Sequence, residues 1–526
     1  MTDAALEHLI ASIVKAHDLK EKKATGEVIT VSETVSVAAS VYETLRNTLE
    51  YDEEHLLRRN AIRRILNRRM DEVASERLAG DLLRELIWAR YIPNKRVPES
   101  MIDTVAAILE KYRPLFAALQ GDSESGQRYY RWLLDMLSTE LEYALVPPLS
   151  DEALASFAYQ KLKDRMVWSG PAIAEADRDL QLYIAVHRAV LKSNIATLRY
   201  RIFTLYYPTW TKADGVQIAG QIANQFATIV ESIETHLSHS ASDHMYRLVR
   251  RHAVVFHLVR DIAEDDPAAF LEALEAHEAE KIDSAVGKAA NVRYKRFGSR
   301  LRRSVARAVV FLFLTKMILA LLVEFPYEQL VLQSTNYVPL LVNIIVHPFL
   351  LGFIGLTVNI PAKKNTQKIV EEVHGLLGLG KDFQVIFRLR RPWATGALGT
   401  VFRTLYALVF LVTIGLISFF LQIAHFNVVS IVLFLFFLSL VTFLGLKIRS
   451  TARDLVILEA GGGFFGTISD ILFLPIVRTG RWIAMRAPRV NIFLFFFDFI
   501  VEAPFKGTIR MIEGWLAFLR EKREEI

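Results

Sequence analysis

The sequence predicts an all-α protein in two parts, a large helical domain followed by a four-helix membrane domain. Hydrophobic residues make up 52% of the 526 residues, which excludes an intrinsically disordered chain. From Ser40 to Lys295 the apolar residues recur at the three- and four-residue spacing of amphipathic helices. Four later segments are each apolar over the roughly 20 residues that a bilayer crossing requires.

The N-terminal segment, residues 1–39, predicts a helix followed by a flexible stretch. Its first residues contain neither a basic cluster nor a long apolar run, so we expect no secretory signal peptide. Strand-like alternation is confined to Val28 to Val37. We therefore expect the domain that follows to stay on the side of the membrane where it is made.

The helical domain is predicted to span residues 40–303. Helix starts are indicated by acidic residues after Asp52 and after Ser150, and by prolines at residues 98 and 267. Prolines and glycines then separate eight to ten apolar-periodic runs. The Pro147-Pro148 pair predicts a subdomain break near residues 147–150, because consecutive prolines end a helix.

The membrane domain is predicted as two hairpins, residues 304–358 and 404–446, joined by a basic loop over residues 359–403. Each hairpin holds two apolar segments with a short turn between them. The four predicted spans run from Ala308 to Phe325, Val338 to Val358, Thr404 to Ala424 and Val428 to Leu446.

The basic residues predict the orientation of these spans. After Arg303, Lys and Arg outnumber Asp and Glu 22 to 14, and they flank the spans on one side only. The two hairpin turns, Glu324 to Tyr337 and His425 to Asn427, contain neither Lys nor Arg. Since short cytoplasmic loops are enriched in Lys and Arg, both termini are predicted to be cytoplasmic, in a cytoplasmic (inner) membrane.

The C-terminal region, residues 447–526, contains two apolar stretches, 464–477 and 490–501, that are too short to span alone. We expect interfacial or re-entrant helices at the cytoplasmic leaflet, although a pair of crossings would return the chain to the same side. A third stretch, Thr508 to Arg520, has one apolar face, as an interfacial helix has.

Ionisable side chains inside the apolar segments are the first candidate site, because burying a charge in lipid is costly unless the charge is paired or hydrated. Three interpretations stay open. One is a structural pairing of Lys316 with an acid or with Asn343, and another is an ion or proton path. In the third, Lys316 extends to the membrane interface or the span is placed differently along the sequence. The candidate residues are Lys316, Asn343, His347, Asp470, Asp498 and Glu502.

Basic residues at the cytoplasmic flanks are candidates for contact with anionic lipid or an acidic partner. They are Arg300, Arg302, Arg303, Lys363, Lys364, Arg390 and Arg391. A further arginine-rich segment, residues 58–69, has acids within i,i+4 reach and predicts a salt-bridged, solvated helix. Because the basic excess flanks membrane segments, we expect no nucleic-acid partner.

Metal and nucleotide sites have weak support. His236, His239 and Asp243 share one face only if a helix runs unbroken through three serines, which more often mark a turn. The Gly375 to Lys381 segment resembles a phosphate loop, but Asp382 follows where a hydroxyl should hold magnesium. We therefore expect neither a metal nor a cofactor.

Two functional hypotheses follow. The first is a membrane-anchored interaction or scaffold protein without catalytic activity of its own, since hydrolase, kinase and metalloprotease motifs are missing from the sequence. Its partners would be cytoplasmic proteins and a bilayer with anionic headgroups. The second is an ion or proton channel or a transporter, built as a homo-oligomer because four spans enclose little volume. Its path would use the polar residues of the first two spans.

Overall fold

The computed structural model describes residues 3–21, 26–31, 54–70, 74–119, 124–169, 173–212, 215–333, 336–358, 362–388, 397–457 and 476–483. These residues are mostly helical, as the sequence predicts, and they include one sheet of two short strands. The chain divides into two compact units. Unit 1 comprises residues 1–283 and 371–389, and unit 2 comprises residues 284–370 and 390–526.

Unit 1 is a helical array. Its helices are α1 (Ala4–Glu21), α2 (Glu54–Arg69), α3 (Ser75–Trp88), α4 (Met101–Ala117), α5 (Glu124–Leu145), α6 (Leu149–Arg165), α7 (Glu175–Ala189), α8 (Ile195–Tyr206), α9 (Gly215–Leu237), α10 (Ser242–Asp265) and α11 (Pro267–Glu275). The predicted break at Pro147-Pro148 lies between α5 and α6. Val28, in the predicted strand-like segment, forms an isolated bridge with Pro98.

A buried polar group organises the core of unit 1. Glu140 of α5 is 6% exposed, and its carboxylate pairs with Lys111 of α4. The same carboxylate accepts hydrogen bonds from the Tyr112 hydroxyl at 2.7 Å and from the Trp210 indole at 2.8 Å. Burial, with the negative charge of Glu140 beside it, raises the pKa of Tyr112 well above its usual value. The hydroxyl therefore stays a hydrogen-bond donor to that carboxylate.

The arginine-rich helix α2 differs from the solvated helix that the sequence predicts. Arg58 is 8% exposed and donates from Nη2 to Glu142 of α5 at 2.7 Å. Arg63 and Arg69 pair with acids of other helices, Asp135 at 2.8 Å and Asp81 at 2.6 Å. Arg58 therefore cross-links helices within the core, whereas Arg63 and Arg69 pair with other helices through side chains that are 36% and 35% exposed. The i,i+4 prediction was wrong for these pairs.

The two strands bring part of the predicted loop between the hairpins into unit 1. Strand β1 (Met166–Ser169) follows α6 directly, and β2 (Val385–Arg388) pairs with it in parallel, with Met166 opposite Val385. Arg165 donates to Asp382 at 2.6 Å and to the Gly375 carbonyl at 3.0 Å. Residues 371–389 are thus a structural part of unit 1, where the sequence predicts only a basic loop.

Two helices contain the points where the chain passes from one unit to the other. They are α12 (Ala279–Leu319) and α15 (Ala362–Leu377). Helix α15 ends just before Gly378, whose φ of +75° is the left-handed conformation that often terminates a helix. The glycines after residue 374 therefore form a helix C-terminus, which agrees with the weak support for a phosphate loop.

Unit 2 contains the apolar helices. After α12 come a π-helical turn (Ala320–Glu324), α13 (Phe325–Leu330), α14 (Tyr337–Leu356), α16 (Ala397–Ile423) and α17 (Val428–Ala452). Four helical stretches are long and apolar enough to cross a membrane: Ala279–Leu330, Tyr337–Leu356, Gly399–Ile423 and Val428–Arg449. Each contains most or all of one predicted span.

A short helix at residues 476–483 packs against α17 in unit 2. A Cβ atom added at Gly480 would lie 1.9 Å from the Ser439 carbonyl oxygen, so only glycine allows this approach. Arg478 lies over the Tyr406 ring of α16, at 4.8 Å from its centroid. The predicted stretch 464–477 lies outside the described residues except for its last two positions, and the stretch 490–501 lies outside them entirely.

Candidate functional site

Five buried polar side chains meet among the apolar helices of unit 2, and we call them the unit 2 polar cluster. They are Lys316, Glu324, Asn343, His347 and Ser430, each 0% or 1% exposed. Lys316 comes from α12, Glu324 from the π-helical turn, Asn343 and His347 from α14, and Ser430 from α17. Three of the four apolar helical stretches therefore contribute to one site.

The Asn343 amide joins the two charged groups of the cluster. Its Oδ1 accepts a hydrogen bond from Lys316 Nζ at 2.6 Å, and its Nδ2 donates to the Glu324 carboxylate at 2.8 Å. The same carboxylate accepts a hydrogen bond from Ser430 Oγ at 3.1 Å. An ammonium group and a carboxylate thus share one amide, which can satisfy both because it is donor and acceptor.

The π-helical turn explains why Glu324 lies in this site. In a regular α-helix, eight residues after Lys316 would place residue 324 about 80° away around the helix axis. The turn Ala320–Glu324 has more residues per turn, which reduces this angle and brings Glu324 toward the face of Lys316. Sequence reasoning placed Glu324 at the end of the first span and missed its role, because helical periodicity assumes a regular α-helix.

His347 links α14 to α17. Its Nε2 lies 3.0 Å from the Phe434 carbonyl oxygen, and its Nδ1 lies 3.1 Å from the carbonyl of Asn343, one turn earlier in its own helix. A neutral imidazole has a single N–H, and in the Nε2–H tautomer it donates to Phe434. The i,i+4 spacing of Asn343 and His347 puts both side chains on the buried face of α14.

A second acid connects the ends of the apolar helices. Glu328 of α13 is 2% exposed; it accepts a hydrogen bond from Asn427 Nδ2 at 2.9 Å and one from the backbone N–H of Asn336 at 3.1 Å. Asn427 precedes α17 and Asn336 precedes α14. Glu328 therefore ties together the two hairpin turns that contain no basic residue.

The cluster has the chemistry of a paired, buried polar network. Its charges have opposite sign, and Lys316 Nζ also lies 4.1 Å from the centroid of the Phe437 ring, a favourable position for a cation. Breaking one member of such a network leaves an uncompensated buried charge, which is strongly destabilising. The arrangement can hold three helices in register, and its ionisable groups are also of the kind that carry protons in membrane proteins.

The structure brings together three of the six residues predicted for this site, Lys316, Asn343 and His347. The other three, Asp470, Asp498 and Glu502, lie outside the described residues. Among the predicted lipid contacts, Arg300, Arg302, Arg303, Lys363 and Lys364 are exposed in unit 2. Arg390 and Arg391 lie outside the described residues.

The metal candidates His236, His239 and Asp243 do not share a helix face. Helix α9 ends at Leu237 and α10 begins at Ser242, so the chain turns between His239 and Asp243. Asp243 instead accepts a hydrogen bond from Arg188 at 3.0 Å. Within the described parts of the chain, no group of three His, Asp or Glu residues is placed to hold a metal ion.

Comparison with family models, with curated proteins and with solved structures finds no match for this chain.

Proposed function

We propose that this chain is a membrane-anchored helical interaction protein without catalytic activity of its own. The observation that carries the proposal is that the unit 2 polar cluster is buried and that its side chains form hydrogen bonds with one another. Lys316, Asn343, Glu324 and Ser430 form one chain of hydrogen bonds, with Lys316 and Asn343 at 0% exposure. Such a cluster acts as a clamp that holds the apolar helices together. The interaction function then belongs to the helical array of unit 1.

The residue ranges that form unit 1 support a cytoplasmic position for this unit, in a multi-pass protein of the cytoplasmic (inner) membrane. Residues 371–389 belong to the same unit as residues 1–283, although the first two apolar helical stretches lie between them in sequence. A chain that leaves this unit and returns to it crosses the bilayer an even number of times. Together with the basic flanks, this argues for four crossings and cytoplasmic termini.

The partners in this proposal are cytoplasmic proteins and anionic lipid headgroups. Exposed apolar side chains on α8 offer a surface for the protein partner, namely Ile195 at 60% and Leu205 at 54% exposure. The exposed basic side chains Arg300, Arg302 and Arg303 precede the first predicted span. Basic residues next to a membrane segment attract anionic lipids.

A second function, an ion or proton channel or transporter, is favoured by one specific observation. Glu324 lies on a π-helical turn within the first apolar helical stretch, beside Lys316 and His347 of the same cluster. π-turns are frequent at functional sites, and intramembrane ionisable groups commonly carry protons or ions. In this alternative the chain works as a homo-oligomer, since four spans enclose little volume.

Flux and stability measurements on the full-length protein separate the two functions. We expect reconstituted wild-type protein to conduct neither ions nor protons over a range of pH and voltage. Lys316→Met should lower stability by about 3 to 5 kcal/mol, because it leaves the Glu324 carboxylate buried without its cation. Thermal unfolding in detergent micelles measures this loss.

The matched control removes both charges. A Lys316→Met, Glu324→Gln double variant leaves no buried charge in the pair, so it should recover part of the stability that the single variant loses. Flux in the wild type that a folded Lys316→Met protein lacks would reject the clamp and favour the channel or transporter.

Photo-crosslinking from Ile195, compared with lipid-facing Leu411, should capture protein partners only from the α8 position.

A further inference from the structure

The part of α12 that precedes its apolar stretch is strongly basic. Residues 284–307 contain eight Lys and Arg and neither Asp nor Glu. In unit 1, Arg68 of α2 pairs with an acid of α3. On α12, by contrast, the exposed side chains of Lys295, Arg302 and Arg303 form no ion pair with any described residue. Their charge is therefore available to an anionic partner.

These cations lie at two levels along α12. We call Lys295 and Arg296 the outer level, and Arg302 and Arg303, which are nearer the apolar stretch, the inner level. Seven residues separate the members of one level from those of the other, which is about 10 Å along the continuous helix Ala279–Leu319. Because seven residues return the helix to nearly the same direction, both levels present their cations on the same sides.

Helix α15 adds two cations to the outer level. Asn365 is 0% exposed, and its Nδ2 donates to the Tyr294 hydroxyl at 2.9 Å and to the Leu455 carbonyl at 2.6 Å. This buried amide fixes the first turn of α15 beside the outer level of α12. Lys363 and Lys364, which precede it, are exposed and form no ion pair within the described parts of the chain. The outer level thus draws on two helices that are far apart in the sequence.

Helix α17 adds a cation to the inner level. A Cβ atom added at Gly355 of α14 would lie 2.6 Å from Val305 of α12. One added at Gly445 of α17 would lie 2.8 Å from Ile354 of α14, so all three helices meet at one height. Helix α17 runs in the same direction as α14, and α12 runs in the opposite one. The inner level lies within one turn before Val305, and exposed Arg449 lies one turn after Gly445, so both lie just beyond that height.

Exposed apolar side chains continue from the inner level. Val310 is 58% exposed and lies two turns after Arg303 on α12. On α17, Leu446 is 52% exposed and lies one turn before Arg449. A ligand held by its phosphate at the inner level would therefore meet an apolar surface beside it. A phospholipid has this succession of charge and apolar chain, whereas a free phosphate or a nucleic acid would leave the apolar surface uncovered.

We propose that the two levels form a binding site for an anionic phospholipid that carries two phosphate groups, the chemistry of cardiolipin. One phosphate pairs with the inner level, the other pairs with the outer level, and the acyl chains lie along Val310 and Leu446. The long, flexible side chains of Lys and Arg let both levels reach phosphates that a short linker joins. A lipid with one phosphate occupies one level only. The site rests on the proposed anchoring of the apolar helices in a bilayer, and it names the lipid that the anchored protein selects.

Native mass spectrometry of the full-length protein, delipidated in an uncharged detergent, tests the proposal. We expect the wild type to bind cardiolipin about tenfold more tightly than phosphatidylglycerol, which has one phosphate. Lys363→Gln with Lys364→Gln should lower the affinity for cardiolipin about tenfold and leave that for phosphatidylglycerol unchanged, because only the outer level loses charge. Arg302→Gln with Arg303→Gln should weaken the binding of both lipids, because the inner level lies beside the apolar surface.

Arg128→Gln with Arg131→Gln is the matched control. It removes two positive charges from exposed positions on α5 of unit 1, so this variant should bind both lipids like the wild type. Inorganic pyrophosphate has two phosphates and no acyl chain, so it should not displace cardiolipin. Displacement by pyrophosphate would overturn the assignment to a lipid.

Two further results would overturn the site. One is equal affinity of the folded wild type for cardiolipin and phosphatidylglycerol, and the other is equal weakening by the α15 and α5 variants. A failure of the proposed anchoring gives a different result, because the protein would then not reconstitute into phosphatidylcholine liposomes. A failure of this site alone leaves that reconstitution intact.

Discussion

Burial controls the protonation of single side chains in unit 1, and His187 gives a measurable consequence. The folded protein holds the pKa of this imidazole well below 6.5, while the unfolded chain takes up a proton near that value. Unfolding therefore absorbs a proton below about pH 6.5. The stability of unit 1 should fall as the pH drops, by up to about 1.4 kcal/mol per pH unit from this group.

The measurement is thermal or denaturant unfolding of the full-length protein between pH 7.5 and 5. His187→Gln, which cannot titrate, should show a shallower decline over this range. His8→Gln is the control, because His8 is exposed on α1 and should keep the wild-type profile. Parallel profiles for wild type and His187→Gln would contradict the buried, neutral imidazole.

Side-chain spacing predicted part of the unit 2 polar cluster and missed part of it. Asn343 and His347 are one turn apart in a regular helix, so their shared face was readable from the sequence. Glu324 was not, because its position depends on a π-helical turn that leaves no periodic signal. Ser430 was missed for another reason, since a serine in an apolar span is unremarkable until its partner is known.

At the scale of elements, long apolar helices were predictable and short strands were not. Each of the four apolar helical stretches contains most or all of a predicted span, because a bilayer crossing requires many consecutive apolar residues. Strands β1 and β2 have four residues each and come from distant parts of the sequence. Their pairing is a tertiary contact, and four residues are too few for alternation to show it.

We predict that the sheet of β1 and β2 holds residues 371–389 in unit 1. Phe387 of β2 is 2% exposed, and its ring lies 5.1 Å from that of Trp168 and 5.1 Å from that of His244. Phe387→Ala removes these contacts, and a buried phenylalanine truncation costs about 3 to 5 kcal/mol. We expect this segment to detach locally, so that trypsin cleaves faster after Lys381 and Arg388.

Ile386 provides the comparison within the same strand. Its side chain is 56% exposed, so Ile386→Ala should leave the cleavage rate close to that of the wild type. Hydrogen exchange of residues 166–169 gives an independent readout, because these backbone groups pair with β2. Unchanged cleavage and exchange in Phe387→Ala would show that the sheet does not hold this segment.

At the scale of the whole molecule, the positions of the basic residues and the residue ranges that form unit 1 argue for the same proposed four-span topology. The basic residues flank the apolar helices, and the two hairpin turns contain none. Residues 371–389 share a unit with residues 1–283, which supports the proposed even number of crossings between them. These arguments are independent, because the first rests on where the basic residues lie in the sequence and the second rests on tertiary contacts.

Single-cysteine labelling tests this topology directly, since the chain contains no cysteine of its own. Asp103→Cys on α4, Lys381→Cys and Ala424→Cys all introduce thiols at exposed positions. In intact cells a membrane-impermeant maleimide should label only Ala424→Cys, which lies in the turn between α16 and α17. In inside-out vesicles it should label Asp103→Cys and Lys381→Cys instead. Labelling of Lys381 and Ala424 from the same side would mean that α16 does not cross the bilayer, and the four-span topology would then be wrong.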